Sequence, residues 1–169
     1  MTITFLGGSF NPPHKGHIQA AEFARKASGS VRVVFLVTPR NPFKSGKELP
    51  SIEERAVALK RIATKPYMSV FTIEKKFKLA ESIKTIRLLR KLYPAEKLCF
   101  VMGTDNLVHF HKWRGFMEIL NAVQVVFVNR GGVDIHKATR QAKFPLWKAT
   151  VIYKKTVTIS STEIRQGKN

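Results

Sequence analysis

Acidic residues are scarce in this chain. Eleven Asp plus Glu stand against thirty Lys plus Arg in 169 residues, a net charge of +19 and a pI near 10.5. A field of that sign attracts anions: nucleic acid, anionic lipid or phosphorylated metabolites. The basic residues are spread along the whole chain, without a polybasic tail, without interleaved aromatics and without the motif of a nucleic-acid module. The charge therefore reads as a general surface property that favours phosphate ligands. Cysteine is almost absent. The single Cys99 lies in the apolar run of residues 98–102, which excludes an internal disulfide framework and a cysteine-based metal cluster. It reads as a small residue on a buried strand, in keeping with a reducing, cytoplasmic setting. No apolar run is long enough to span a membrane, and the N-terminus lacks the basic start and apolar region of a signal peptide. Repeats, low-complexity tracts and a Pro/Gly-rich interdomain linker are also missing, so residues 1–169 read as a single domain.

What is present is a strand–helix alternation. Short runs rich in Val, Ile and Phe occupy residues 2–6, 31–37, 68–73, 98–102, 122–128 and 150–153, several of them continuously apolar. Continuous apolar strands imply burial on both faces. Between them, Ala20, Phe23, Ala24 and Ala27 share a helical face, as do Ile52, Ala56, Leu59 and Ala63, and Ile83, Ile86, Leu89 and Leu92. Ser51 and Glu54 have capping-box spacing, and Pro94 closes the third helix. Alternation of this kind predicts an α/β fold: a Rossmann-like parallel sheet with helices on both faces. The long loop 38–50 follows the second strand and so belongs at the carboxyl edge of the sheet, where ligands bind in open α/β folds.

The first strand runs into Gly7-Gly8-Ser9-Phe10-Asn11-Pro12-Pro13-His14-Lys15-Gly16-His17, and a helix follows. The glycine pair lets the backbone approach a ligand, the prolines stiffen the loop, and Gly16 places no side chain at the helix start. Free N–H groups and the helix dipole converge there on an anion. His14 and His17, three apart, can face one ligand together. They also fit half of a metal site, for which no third ligand stands nearby in sequence. The segment is neither a Walker A loop nor a dinucleotide fingerprint.

This stretch resembles the G-G-[ST]-F-[DN]-P-x-H-x-G-H form of the (H/T)-x-G-H signature of adenylyl- and cytidylyltransferases. A second signature of that superfamily, I-S-S-T-x-x-R, is matched by Ile159-Ser160-Ser161-Thr162-Glu163-Ile164-Arg165. Both motifs occur in the right order and separation, and across essentially the whole chain the sequence is similar to the bacterial nicotinate-nucleotide adenylyltransferase family. The resemblance implies a nucleotidyltransferase fold and transfer of the adenylyl group of ATP to nicotinate mononucleotide, with Mg²⁺ carried by the ATP. It implies catalytic roles for His14 and His17 as donors to the phosphates rather than as metal ligands. It further implies ATP contacts from Gly7, Gly8, Ser9, Phe10, Gly16, Gly103, Asp105, Ser160, Ser161, Thr162 and Arg165, and mononucleotide contacts from Lys44, Thr85 and Trp113. Gly103-Thr104-Asp105-Asn106-Leu107 is similar to the family's G-[AT]-D-N-L segment, which places Asp105 on the ribose of adenosine. Trp113 would stack on the pyridine ring, and its polar neighbours His109, His111, Lys112 and Arg114 suit a ligand-facing position.

One segment departs from the family. Where S-Y-T-[IV]-D-T-L is usual, this chain has Ala80-Glu81-Ser82-Ile83-Lys84-Thr85-Ile86. Backbone N–H groups receive the nicotinate carboxylate in the family, and backbone donors survive side-chain changes, so the role is expected to persist at Thr85. Two alternatives stay open. Phosphopantetheine adenylyltransferase belongs to the same superfamily, but its first motif carries Thr where this chain has His14. A basic nucleic-acid-binding protein on the same scaffold would account for the charge. Expected partners are ATP and the mononucleotide, with no specific nucleic acid and no membrane.

Overall fold

A computed structural model of the chain describes residues 1–39, 49–77, 79, 81–130 and 133–156. Its centre is a six-stranded sheet of order β3-β2-β1-β4-β5-β6, parallel throughout. The strands are β1 (Thr2–Gly8), β2 (Arg32–Val37), β3 (Met68–Phe71), β4 (Lys97–Gly103), β5 (Gln124–Val128) and β6 (Ala149–Ile152). The helices are α1 (Lys15–Ser28), α2 (Ile52–Ile62), α3 (Ile73–Lys76), α4 (Ser82–Leu92), α5 (Phe116–Ala122) and α6 (Ile135–Arg140). Short 3-10 turns cover Thr104–Asn106, Phe110–Lys112 and Leu146–Lys148. The expected α/β architecture is therefore the observed one. Among the described residues no helix is long and apolar enough to cross a membrane.

The period of two along each strand sorts side chains between two cores. Ile3 and Phe5 of β1, with Val34 and Leu36 of β2, pack with Ile83, Ile86 and Leu89 of α4 and Ile119 and Leu120 of α5. Leu6, Val33, Phe35 and Val37 face the other way, onto Ala20, Ala21 and Ala24 of α1 and Ala56 and Leu59 of α2. Each buried Val, Leu or Phe stabilises the fold by about 1.5–3 kcal/mol. Cys99 is fully buried on β4, where burial pushes its thiol up, against the hydrogen bonds it shares with Ser28 and Thr4.

The helix signals hold with local shifts. Ser51 accepts from Glu54 N–H at 3.1 Å and donates its own N–H to Glu54 Oε2 at 2.8 Å, so the capping box is formed. α4 ends at Leu92, two residues before Pro94. The inward face of α1 is Gly16, His17, Ala20, Ala21 and Ala24 and runs on to Ser28, whose hydroxyl lies 3.3 Å from Thr4 Oγ1, whereas Ala27 is exposed; the helix is capped at Gly29 (φ 64°). The run at residues 68–73 overshoots β3, since Ile73 starts α3 behind Thr72. Likewise Ala122 closes α5 rather than opening β5.

Strand order reverses its direction of travel at β1, which has β2 on one side and β4 on the other. That reversal opens a crevice above the carboxyl ends of β1 and β4, the usual ligand position in such sheets. Register brings Leu6 beside Val101 and Gly103 beside Val128. The two glycine-bearing strand ends therefore lie next to each other.

Candidate functional site

At the end of β1 the chain turns sharply. Gly8 accepts from Thr38 N–H at 2.9 Å, which ties the end of β1 to the end of β2. A side chain at Gly8 would meet the Phe10 ring at 3.1 Å, so this glycine is demanded by close approach. Phe10 adopts φ 47°, a left-handed conformation uncommon for a bulky residue. Its ring is 1 % exposed and sits edge-on to Phe35 and His17, which leaves only its backbone for a ligand.

α1 then begins at Lys15, with His14 as its N-cap. The rings of His14 and His17 lie 3.8 Å apart between centroids, tilted by 34°. His14 N–H donates to His17 Nδ1 at 3.2 Å. An Nδ1 that accepts fixes the neutral tautomer, with the proton on Nε2. Burial holds the His17 pKa down at about 3, assisted by His14 and by Arg130. His17 is thus a neutral ring at physiological pH and presents Nε2–H as its donor. A neutral N–H donor at a helix N-terminus suits hydrogen bonding to an anion without needing a protonation step.

Across the crevice, Gly103 ends β4 and leads into the 3-10 turn of Thr104–Asn106. Arg130, just past β5, donates Nη2–H to Asp105 Oδ1 at 3.1 Å, and this ion pair lies directly over Gly103. On the other core face, the turn after Trp113 packs on the first turn of α4. A side chain at Gly115 (φ 68°) would meet Ile83 Cγ1 at 3.0 Å, and Arg114 reaches Glu81 Oε1 at 3.5 Å. Glu81 also pairs with Lys84 at 3.2 Å. Trp113 is half-buried: it packs against the core, with its ring centroid 5.6 Å from that of Phe110 in a T-shaped pair.

The cytidylyltransferase-like family model matches residues 5–167. The chain is 32 % identical to a probable nicotinate-nucleotide adenylyltransferase of Agrobacterium fabrum, over 99 % of this chain and 99 % of that protein. It is 38 % identical to one of the same name from a Caulobacter species, over 84 % of this chain and 75 % of the relative. Among solved structures, Plasmodium falciparum nicotinic acid mononucleotide adenylyltransferase complexed with APC superposes with a TM-score of 0.74 at 16 % identity, covering 98 % of this chain and 82 % of that one. That likeness shows the fold. The chain belongs to the nicotinate-nucleotide adenylyltransferase family.

Membership in this family of nucleotidyltransferases gives the crevice its context. The structure gathers Gly7, Gly8, Ser9, Phe10, His14, Gly16, His17, Gly103 and Asp105 around the ends of β1 and β4, and sets Trp113 beside α4. Lys44, Ser160, Ser161, Thr162 and Arg165 lie outside the described residues. Thr85 departs from expectation. It is fully buried, its hydroxyl donates to Glu74 Oε1 at 2.8 Å, and its N–H donates to Glu81 O at 3.3 Å. Both donors are engaged within the fold, so Thr85 ties α4 to α3 from the buried side. Glu74 is itself buried on α3, and that burial raises its carboxyl pKa, against the lowering by Thr85. Thr85→Val is expected to lower unfolding free energy by about 1–3 kcal/mol, because it strands a buried carboxyl. Urea unfolding checks this, and unchanged stability would mean that Glu74 finds another partner.

Two residues that the structure sets beside this sheet edge carried no assignment from the sequence. Arg130 stands just past the apolar run of residues 125–128 and before a glycine pair, which was the available signal. Arg55 carries a clearer one: it shares the apolar face of α2 with Ile52 and Leu59, and a charge within an apolar stripe marks a buried role.

Proposed function

We propose that this protein transfers the adenylyl group of ATP to nicotinate mononucleotide, giving deamido-NAD and pyrophosphate. A phosphate oxygen of the mononucleotide attacks the α-phosphorus of ATP. The Pα–O bond to the β-phosphate breaks, and pyrophosphate leaves with the bonding pair. The attacking oxygen is already anionic, so the reaction asks for positioning and charge stabilisation rather than a strong base. The observation that carries this reading is His17, a buried neutral imidazole whose tautomer leaves Nε2–H as its donor in the first turn of α1.

In this reading His14 and His17 donate to oxygens of the transferring phosphate while the backbone of Gly7, Gly8 and Ser9 holds the triphosphate close. Gly16 leaves the helix start open. Gly103 leaves room for the Asp105–Arg130 pair on the adenosine side, where Asp105 accepts from the ribose. The nucleotide enters with its Mg²⁺ carried on the phosphates. Trp113, only partly covered by the core, stacks on the pyridine ring. Lys44, Ser160, Ser161, Thr162 and Arg165 keep their assignments on sequence resemblance alone. The family membership favours this acceptor over phosphopantetheine. A cytoplasmic location accords with the buried, unpaired Cys99.

The test is a substrate panel. With Mg-ATP and nicotinate mononucleotide the purified protein is expected to release pyrophosphate and form the dinucleotide. Turnover with phosphopantetheine but not the mononucleotide would overturn the acceptor. Trp113→Phe should raise KM for the mononucleotide several-fold, on the order of one lost stacking contact, with KM for ATP little changed. An unchanged mononucleotide KM would return Trp113 to the core.

A further inference from the structure

Arg55 is 4 % exposed, yet it belongs to no ion pair among the described residues. Burial lowers its pKa, and Glu53, one position away on α2, opposes that only as a neighbouring charge. Its guanidinium is satisfied by carbonyls instead. Nη1–H donates to Ser9 O at 2.6 Å and to Thr38 O at 2.9 Å, and Nε–H donates to Pro50 O at 2.9 Å. These three carbonyls come from the turn after β1, the end of β2 and the entry to α2. One side chain thus fastens three separate segments at the carboxyl edge of the sheet.

The contact with Ser9 has a stereochemical consequence. A trans peptide is planar, so the Ser9 carbonyl and the Phe10 N–H point in opposite directions. Holding the carbonyl on Arg55 therefore turns the Phe10 N–H away from α2. Phe10 sits at φ 47°, a conformation that costs free energy unless its surroundings impose it. The surroundings here are Arg55 on the carbonyl, the missing side chain at Gly8 and the buried Phe10 ring. The charge matters as well. Among the described residues this buried cation is held by carbonyl dipoles alone, so no bonded carboxylate there cancels its field behind the turn.

We propose that Arg55 is the positioning residue of the phosphate turn: it orients the Ser9–Phe10 peptide so that the Phe10 N–H serves the triphosphate of ATP, and its charge adds to the field there. This rests on the adenylyl-transfer reading for the identity of the ligand.

The experiment compares wild type, Arg55→Met and Arg55→Lys by calorimetric titration with Mg-ATP alone and with nicotinate mononucleotide alone, followed by steady-state kinetics. Arg55→Met is expected to weaken ATP binding about tenfold or more and to lower kcat by a similar factor, the scale of one displaced phosphate donor. Mononucleotide affinity should stay within about twofold. Arg55→Lys retains the charge but not the fork, and should recover only part of the ATP affinity. A folded Arg55→Met with wild-type ATP affinity and kcat overturns the proposal. If Arg55→Met fails to fold, Arg55→Lys decides: a selective loss for ATP supports the role, and equal losses for both ligands, or none, overturn it. Should wild type bind ATP but form no dinucleotide, the transfer reading fails while the ATP comparison still judges Arg55.

Discussion

His17→Ala is expected to lower kcat by about 10²-fold or more, the scale found when one preorganised donor to a developing oxyanion is removed. The geometry explains the size. The ring is buried against Phe10, stacked 3.8 Å from His14 and fixed by the His14 N–H on Nδ1, so Nε2–H is aimed before substrate arrives. Water entering an alanine cavity would not be aimed. Wild-type-like kcat in a folded His17→Ala would make the ring structural only. The pH dependence provides a second check. With its pKa at about 3, His17 is neutral from pH 5 to 9, so wild-type kcat should show no limb near pH 6.5 from this group. A cationic donor would instead lose activity as pH rises through that region. Stability follows the same shift with a definite sign. The folded pKa lies below the unfolded value, so the folded state binds fewer protons. The contribution of His17 is fully present above about pH 6.5 and is lost as pH falls from there toward 3. Glu74 acts in the opposite sense, because its raised pKa makes its contribution fade as pH rises through the folded value. The His17 effect is therefore read as a difference: between pH 7 and pH 4 the melting temperature of wild type should fall more steeply than that of His17→Ala.

The sheet was legible in the sequence because parallel strands buried on both faces are continuously apolar, and their five connections left helical periodicity in three places. α1, α2 and α4 have eleven to fourteen residues, enough turns for a repeating face. α5 and α6 have seven and six residues, under two turns, and carry no period to read. The first turn was legible for a different reason: Gly8 serves close approach to the Phe10 ring and His14 and His17 bond to each other, which restrict residue type directly. Thr85 illustrates the limit. The sequence marks it as a donor near an acceptor site, but only packing shows that Glu74 of α3 takes its hydroxyl from behind. Arg55 was hidden in the same way. Its partners are backbone carbonyls forty-six, seventeen and five positions away. Backbone acceptors leave no trace in residue identity, so no covarying side chain announces the contact.

Gly103→Ala should impair the enzyme far more than it destabilises the fold. The backbone at Gly103, φ −74° and ψ 151°, is open to any residue, so alanine brings no conformational strain. Its methyl group would nevertheless fall where the Asp105 carboxylate meets Arg130, 2.5 Å from Nε and 2.6 Å from Nη2. Both side chains are partly exposed, 39 % for Arg130 and 54 % for Asp105, and can swing aside. An exposed pair of this kind is worth about 0–1 kcal/mol, so the melting temperature should drop by only a few degrees. The functional cost comes from position. Asp105 is the proposed ribose acceptor, and Arg130 is one of the charges that hold the His17 ring neutral. Displacing both reshapes the adenosine side of the crevice and shifts the field at the donor. KM for ATP is expected to rise about tenfold or more, with mononucleotide KM little changed, since Trp113 and α4 lie on the opposite core face. Asp105→Asn separates the two contributions: it keeps the side chain's shape and one acceptor but weakens the hold on Arg130. If Gly103→Ala keeps kcat/KM for ATP within twofold of wild type, the crevice above β4 does not receive the nucleotide, and the adenosine must lie elsewhere along the sheet edge.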